Sequence, residues 1–112
     1  MENHRLVLPQ YLNHYGFLFG GYLLAWVDEM AYLAASSEFP NSKFVTVGMD
    51  DVEFKKTVRE GSILHFNSQR VGQGNTSVTY AVSVRREEIE IFSTNVTLVQ
   101  VDDNGVKTPL PR

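Results

Sequence analysis

From Phe19 to Ala35, thirteen of seventeen residues are apolar or aromatic, and they leave no polar side to the segment. Helix formers fill most positions, no β-branched run interrupts them, Gly20-Gly21 opens the stretch and Pro40 follows it. These signals predict a helix over residues 19–37. Tyr22, Leu23, Leu24, Trp26, Val27, Met30, Leu33 and Ala34 cover nearly its whole circumference. Outside a membrane, a helix apolar all round is a buried one. At 1.5 Å per residue it runs about 27 Å, long for a chain of 112 residues. Asp28 and Glu29 sit in its middle, and the stretch falls short of the roughly 20 apolar residues a membrane span needs, so no membrane insertion is expected.

The rest of the chain reads as strands. Residues 44–54 and 63–71 are separated by the turn-like Arg59-Glu60-Gly61. Residues 77–85 alternate cleanly, with Val78, Tyr80, Val82 and Val84 on one face. Residues 91–101 form a last long strand before the hairpin turn Asp102-Asp103-Asn104-Gly105, and residues 5–8 add a short strand at the start. Strand, helix and four antiparallel strands make one α+β domain over residues 1–112. One small sheet cannot enclose so apolar a helix, so a second copy is expected to complete its cover.

Lys plus Arg number 10 against 13 Asp plus Glu, a net charge of −3, which argues against a broadly basic nucleic-acid binder. Cysteine is absent, which excludes disulfide scaffolds, zinc–thiolate sites and thiol nucleophiles. Met1 to Leu8 lack the basic start and apolar run of a secretory signal, so a cytoplasmic protein is expected.

Two features invite chemistry. A carboxylate in an otherwise apolar helix must be paired, protonated or facing a cavity, and Asp28 and Glu29, about 100° apart, cannot serve one face. Gly20-Gly21 at the helix start leaves first-turn N–H groups bare, suited to a phosphate or a developing oxyanion. Gly21 and Asp28 stand about 10 Å apart along the axis, too far to touch one carbonyl group. If both act on one substrate atom, they come from different chains, across a two-fold interface.

Other residues carry weaker signals. His4, His14 and His65 have no metal spacing, and Asp50-Asp51 lacks a third ligand nearby, so no metal is expected. Lys55, Lys56 and Arg59, then Arg85 and Arg86, then Lys107 and Arg112 are the clusters that could hold an anionic ligand; each also reads as solvated surface charge.

Asn13-x-x-Gly16-x-x-Phe19-Gly20-Gly21 with Asp28 seven residues on resembles the hot-dog-fold acyl-CoA thioesterases. The closest look is to the cytosolic acyl-CoA hydrolase type and its small bacterial relatives. The likeness continues through residues 45–54, Gly61-Ser62-Ile63-Leu64 and Gly74-Asn75-Thr76-Ser77-Val78. It implies a hot-dog fold, a long helix wrapped by an antiparallel sheet of about five strands, with two protomers sharing one continuous sheet. It also implies hydrolysis of acyl-CoA to a carboxylic acid and CoA. Asp28 takes the place of the catalytic acid, Asn13 of the opposite protomer that of the catalytic Asn, and the N–H at Gly21, with Gly20 beside it, that of the carbonyl's donor. Thr76 and Ser77 fall on the family's pantetheine path. CoA belongs to the substrate, so no separate cofactor is implied; the implied partner is another copy, as a homodimer or a trimer of dimers. Glu29 and Met30 depart from the small residues that often follow the acid in relatives, which makes Glu29 a competitor for Asp28. The bulky His14-Tyr15 pair beside Asn13 narrows or lines the site. The alternative is a non-catalytic hot-dog module that binds acyl-CoA or serves assembly, which would have no chemical need for Asp28.

Overall fold

The computed structural model describes residues 1–111, so Arg112 lies outside the described residues. Five strands, β1 (Glu2–Leu6), β2 (Phe44–Phe54), β3 (Ile63–Gln73), β4 (Ser77–Arg86) and β5 (Ile89–Gln100), form one antiparallel sheet in the order β1-β3-β4-β5-β2. A single-turn 3-10 helix, Pro9–Tyr11, follows β1, and α1 spans Gly20–Glu38 across one face of the sheet. The first strand starts earlier than its local pattern suggests. Its ladder with β3 runs from Glu2 opposite Asn67 to Leu6 opposite Ile63, and Pro9 then turns the chain away.

The period-two pattern of β4 sets the core. Val78, Tyr80, Val82 and Val84 are buried against α1, while Ser77, Thr79, Ala81 and Ser83 lie on the opposite face, half-buried. From the helix, Leu23, Val27, Met30, Ala31 and Ala34 meet this layer; the alanines let the helix axis sit close to the sheet. At the helix end, the N–H of Phe39 bonds the Ala35 carbonyl at 2.9 Å, and Pro40 follows. The Tyr80 hydroxyl donates to Glu38 there, and burial, then that bond, push the phenol well above its ordinary value near 10.

The all-round burial expected of the helix does not hold within one chain. Leu23, Trp26, Val27, Met30, Ala31, Ala34 and Ala35 are buried, one face by spacing. Tyr22, Tyr32 and Leu33 on the other side are 42%, 45% and 39% exposed. One sheet of this size covers one side of a helix, and the remaining apolar side stays open.

β2 is the least regular strand. Its ladder with β5 slips between Thr46 and Gly48 and again between Asp50 and Glu53, where Asp51 takes a left-handed φ of 53°. The strand is an edge of the sheet, and Val45, Val47 and Val52 along it are exposed.

Candidate active site

The segment before α1 is folded by Asn13. Its backbone N–H bonds the Phe17 carbonyl at 2.7 Å, and the Gly16 N–H bonds the Asn13 carbonyl at 3.0 Å. Gly16 has φ +86°, a left-handed value that a side chain would disfavour. The Asn13 side-chain Oδ1 accepts from the N–H of Tyr15 at 2.9 Å and of Phe17 at 3.1 Å. Two backbone donors on one oxygen fix the direction of the amide, so Nδ2 is the part of the group left for anything outside the loop. Leu18 N–H to Val58 carbonyl (2.7 Å) and Phe19 N–H to Tyr11 carbonyl (2.9 Å) pin the far end of the segment.

The helix then starts without a side-chain cap. Phe19, the N-cap residue, is extended, and its carbonyl receives the N–H groups of Tyr22 (3.1 Å) and Leu23 (3.4 Å). The N–H groups of Gly20 and Gly21 have no hydrogen-bond partner among the described residues. A Cβ on Gly21 would stand 2.8 Å from Phe19 Cε2, and one on Gly20 would stand 3.3 Å from Phe54 Cε1. Glycine therefore lets two aromatic rings lie against the first turn. Beside it opens a recess of about 250 Å³ lined by Leu18, Gly20, Leu23, Phe54, Lys56 and Val58, among others. At its rim, Lys55 is bonded to Glu90, which holds its ammonium above the ordinary lysine value. Lys56 has no ion pair among the described residues.

Two turns further along α1, Asp28 is half-buried on the side facing β2. Its Oδ1 accepts a hydrogen bond of 2.5 Å from Thr46 Oγ1. Glu29 is exposed and has no hydrogen bond or ion pair among the described residues. The adjacent carboxylates thus differ sharply: one is aimed by a partner strand, the other is free. Thr46 is the member of this constellation that sequence reasoning misses. Inside Phe44-Val45-Thr46-Val47 it reads as an ordinary β-former, and only the helix–sheet approach brings it to Asp28.

Within one chain the predicted residues fall into three places. Asn13, Gly20 and Gly21 share the end of the molecule at the start of α1, and no contact joins them to Asp28. Thr76 and Ser77 occupy the β3–β4 hairpin, where the Gly74 N–H bonds the Ser77 carbonyl at 2.8 Å. The start of α1 lies over Phe54, which pairs with Phe92, whereas Ser77 pairs with Val99. Those two rows are seven residues apart on β5, about 23 Å. Ser77, next to inward-facing Val78, also lies on the face away from α1. Among the described residues no three His, Cys, Asp or Glu side chains are grouped to hold a metal. Asp50 and Asp51 are exposed at the second irregularity of β2, and Asp102 to Gly105 form a turn closed by Gly105 N–H to the Asp102 carbonyl at 3.0 Å. None of the described helices is long and apolar enough to cross a membrane.

Residues 15–93 match the family model of the thioesterase superfamily. An uncharacterized acyl-CoA thioester hydrolase of Bacillus subtilis is 30% identical over 112 residues, covering 95% of this chain and 64% of its own; the chain thus spans just under two thirds of that relative. The crystal structure of a hexameric thioesterase from Yersinia pestis superposes with a TM-score of 0.90 at 27% identity, over 98% of this chain and 93% of the other. An acyl-CoA hydrolase of Staphylococcus aureus with an Asn replaced by Ala, in complex with coenzyme A, gives a TM-score of 0.89 at 28% identity over 99% of this chain and 70% of that one. The same hydrolase has structures with an Asp and with a Thr replaced by Ala. A hexameric hot-dog-fold thioesterase of Campylobacter jejuni gives a TM-score of 0.87 at 32% identity, over 97% of this chain and 88% of the other; the five-stranded antiparallel sheet with one long helix is that fold.

Proposed function

The chain belongs to the thioesterase superfamily, and on that premise we propose that it hydrolyses acyl-CoA thioesters to a carboxylic acid and CoA. The observation that carries the reading is the carboxylate of Asp28, held by Thr46 on a helix whose other central residues, apart from Glu29, are apolar. A buried structural acid would have no need of a free oxygen, whereas half-buried Asp28 keeps Oδ2 unbonded among the described residues. The Staphylococcus aureus hydrolase supports the assignment. The Asn and Asp replaced there stand fifteen residues apart, the separation of Asn13 and Asp28 here.

In this reading the thioester carbonyl accepts the bare N–H of Gly21, at the positive end of the α1 dipole. Loss of one such donor typically costs about 100- to 1,000-fold in rate. Asp28 takes a proton from water as the water oxygen bonds the carbonyl carbon; the C–S bond then breaks and the thiolate leaves with the electron pair. The other balanced route has Asp28 attack the carbonyl carbon itself, giving an anhydride that water then opens. Thr46 keeps Oδ1 occupied and so presents Oδ2. Asn13 serves as a donor through Nδ2, orienting the water or the carbonyl.

Asp28 and Gly21 of one chain cannot meet on one carbonyl, so the working site belongs to a homodimer. The open side of α1 and the apolar, unpaired edge of β2 support that pairing, since unprotected edges invite a second strand. The hexameric neighbours support three such dimers. A contact from Thr76 or Ser77 to the pantetheine arm then comes from a different copy than Gly21. The test is free-thiol release from acyl-CoAs running from acetyl to palmitoyl, with an aromatic acyl-CoA added, for wild type and Asp28→Asn. Turnover lost in the variant, with CoA binding intact, is the expected result. Tight binding with no thiol release from wild type would overturn the enzymatic reading in favour of a binding module.

A further inference from the structure

His4 on β1 and His65 on β3 stand directly opposite each other, and Arg85 on β4 stands opposite His65. All three lie on the face of the sheet away from α1. The His4 and His65 Nε2 atoms are 2.9 Å apart, with the rings edge to face at 73° and their centres 3.8 Å apart. Arg85 Nη2 lies 3.3 Å from His65 Nδ1.

Donor and acceptor bookkeeping leaves one proton arrangement. A guanidinium has only donors, so His65 Nδ1 accepts from Arg85 and the ring proton of His65 sits on Nε2. That proton points at His4 Nε2, which accepts it, so His4 carries its own proton on Nδ1. Both rings are neutral in this state. A proton added to His4 goes to Nε2 and turns the 2.9 Å contact into two N–H groups facing each other; one added to His65 goes to Nδ1 and sets an N–H against the Arg85 N–H, and either brings new positive charge beside Arg85. The surroundings do not offset it. Glu2 on β1 lies with Oε1 4.0 Å from Arg85 Nη2, and Glu90 on β5, opposite Arg85, is bonded to Lys55. Glu60, Arg86 and Glu87 line the recess next to His65, but no carboxylate bonds either imidazole among the described residues.

We propose that the His4–His65 pair is a proton-sensitive clamp that holds β1 on the sheet at neutral pH and loosens it in acid. Imidazole is the side chain whose charge ordinarily changes between pH 5 and 8. β1 is an edge strand, so β3 alone holds its backbone among the described residues. The strand in turn supports the segment that carries Asn13. Arg5, next to His4 but on the inner face, places its guanidinium 4.5 Å from the centre of the Trp26 ring and donates to the Tyr11 hydroxyl at 3.2 Å. Tyr11 holds the Phe19 N–H. Acid therefore releases the outermost support of residues 9–19 while the centre of the sheet stays closed.

Amide hydrogen exchange of the whole chain, corrected for intrinsic exchange and followed from about pH 8 to about pH 5, tests this directly. In wild type, opening of β1 should rise about five- to tenfold on the acid side, with β4 and β5 unchanged. His4→Leu, a substitution that gives position 4 the residue already found at the same-face position 6, should remove the rise. A wild type that stays flat, or an equal rise in the variant, overturns the clamp. Imidazole nitrogen NMR on the unmodified protein gives a test free of any folding defect. Near pH 8 it should find His65 protonated on Nε2 and His4 on Nδ1; any other pairing overturns the proposal.

Discussion

Along β4 the residues alternate without a break: four apolar side chains go into the core and their neighbours lie on the outer face. Along β2 the ladder slips twice, one residue adopts a left-handed φ, and three valines meet solvent. Both strands belong to one sheet and both are rich in valine. β4, hydrogen-bonded on both sides, can spend every other residue on the core. β2 is bonded on one side, and Thr46, in regular register opposite inward-facing Leu98, meets Asp28 on the helix. Pairing on both sides builds the core here, and the strand paired on one side leaves its side chains open to what lies outside the chain.

That contrast is open to attack, beginning with the largest effect. Asp28→Asn, on the β2 side of the helix, should lower thiol release about 100- to 10,000-fold while leaving the thermal melt in place; an equal loss of both would make Asp28 a structural acid. Phe92→Ala, in the fully buried row of β5, should cost about 3–5 kcal/mol in urea unfolding, whereas Phe54→Ala, its half-exposed edge-to-face partner on β2, should cost about 1 kcal/mol. Comparable losses would show that β2 carries as much of the core as β5. Thr46→Val keeps the shape and removes the donor to Asp28, so steady-state kinetics should record a fall of about 10-fold in kcat with unfolding unchanged.

Tyr80→Phe should cost about 1 kcal/mol at neutral pH by removing the bond to Glu38. Because burial raises the phenol in the folded state, its contribution is whole below about pH 10 and is lost as pH climbs further. Denaturant titrations above that pH should find wild type losing stability faster than the Phe variant. Val47→Thr should change unfolding by less than about 0.5 kcal/mol, since its side chain is 55% exposed in one chain. If the β2 edge joins two copies, the same substitution should instead weaken association, read by sedimentation on dilution.

The elements themselves were largely legible. The helix expected over residues 19–37 spans Gly20–Glu38, and the strand expected over 44–54 has those bounds, because period and punctuation are local properties. The Asp102 turn and the inward set of β4 follow from the same signals. What escaped is what depends on distant parts of the chain. An apolar circumference signals burial without telling whether one sheet or a second copy provides it, and Tyr22, Tyr32 and Leu33 are left open in the single chain. β2 lies beside β5 at an edge, an order no local pattern encodes. The hydrogen bond that sets Asp28 apart from Glu29 comes from a threonine eighteen residues away. The inward turn of Asn13 Oδ1 depends on backbone N–H groups that become neighbours only once the loop has closed.

That inward turn also sets how the molecule would age. Conversion of the Asn13 amide to the normal aspartate carboxylate would leave an oxygen for both the Tyr15 and the Phe17 N–H groups. The loop would keep its shape and the chain its melting point. The outward N–H would be gone, with a negative charge in its place, in front of whatever Asn13 serves. An old preparation would then look intact by every test of folding and differ by about one mass unit, and the loss would surface only where a second molecule needs that donor.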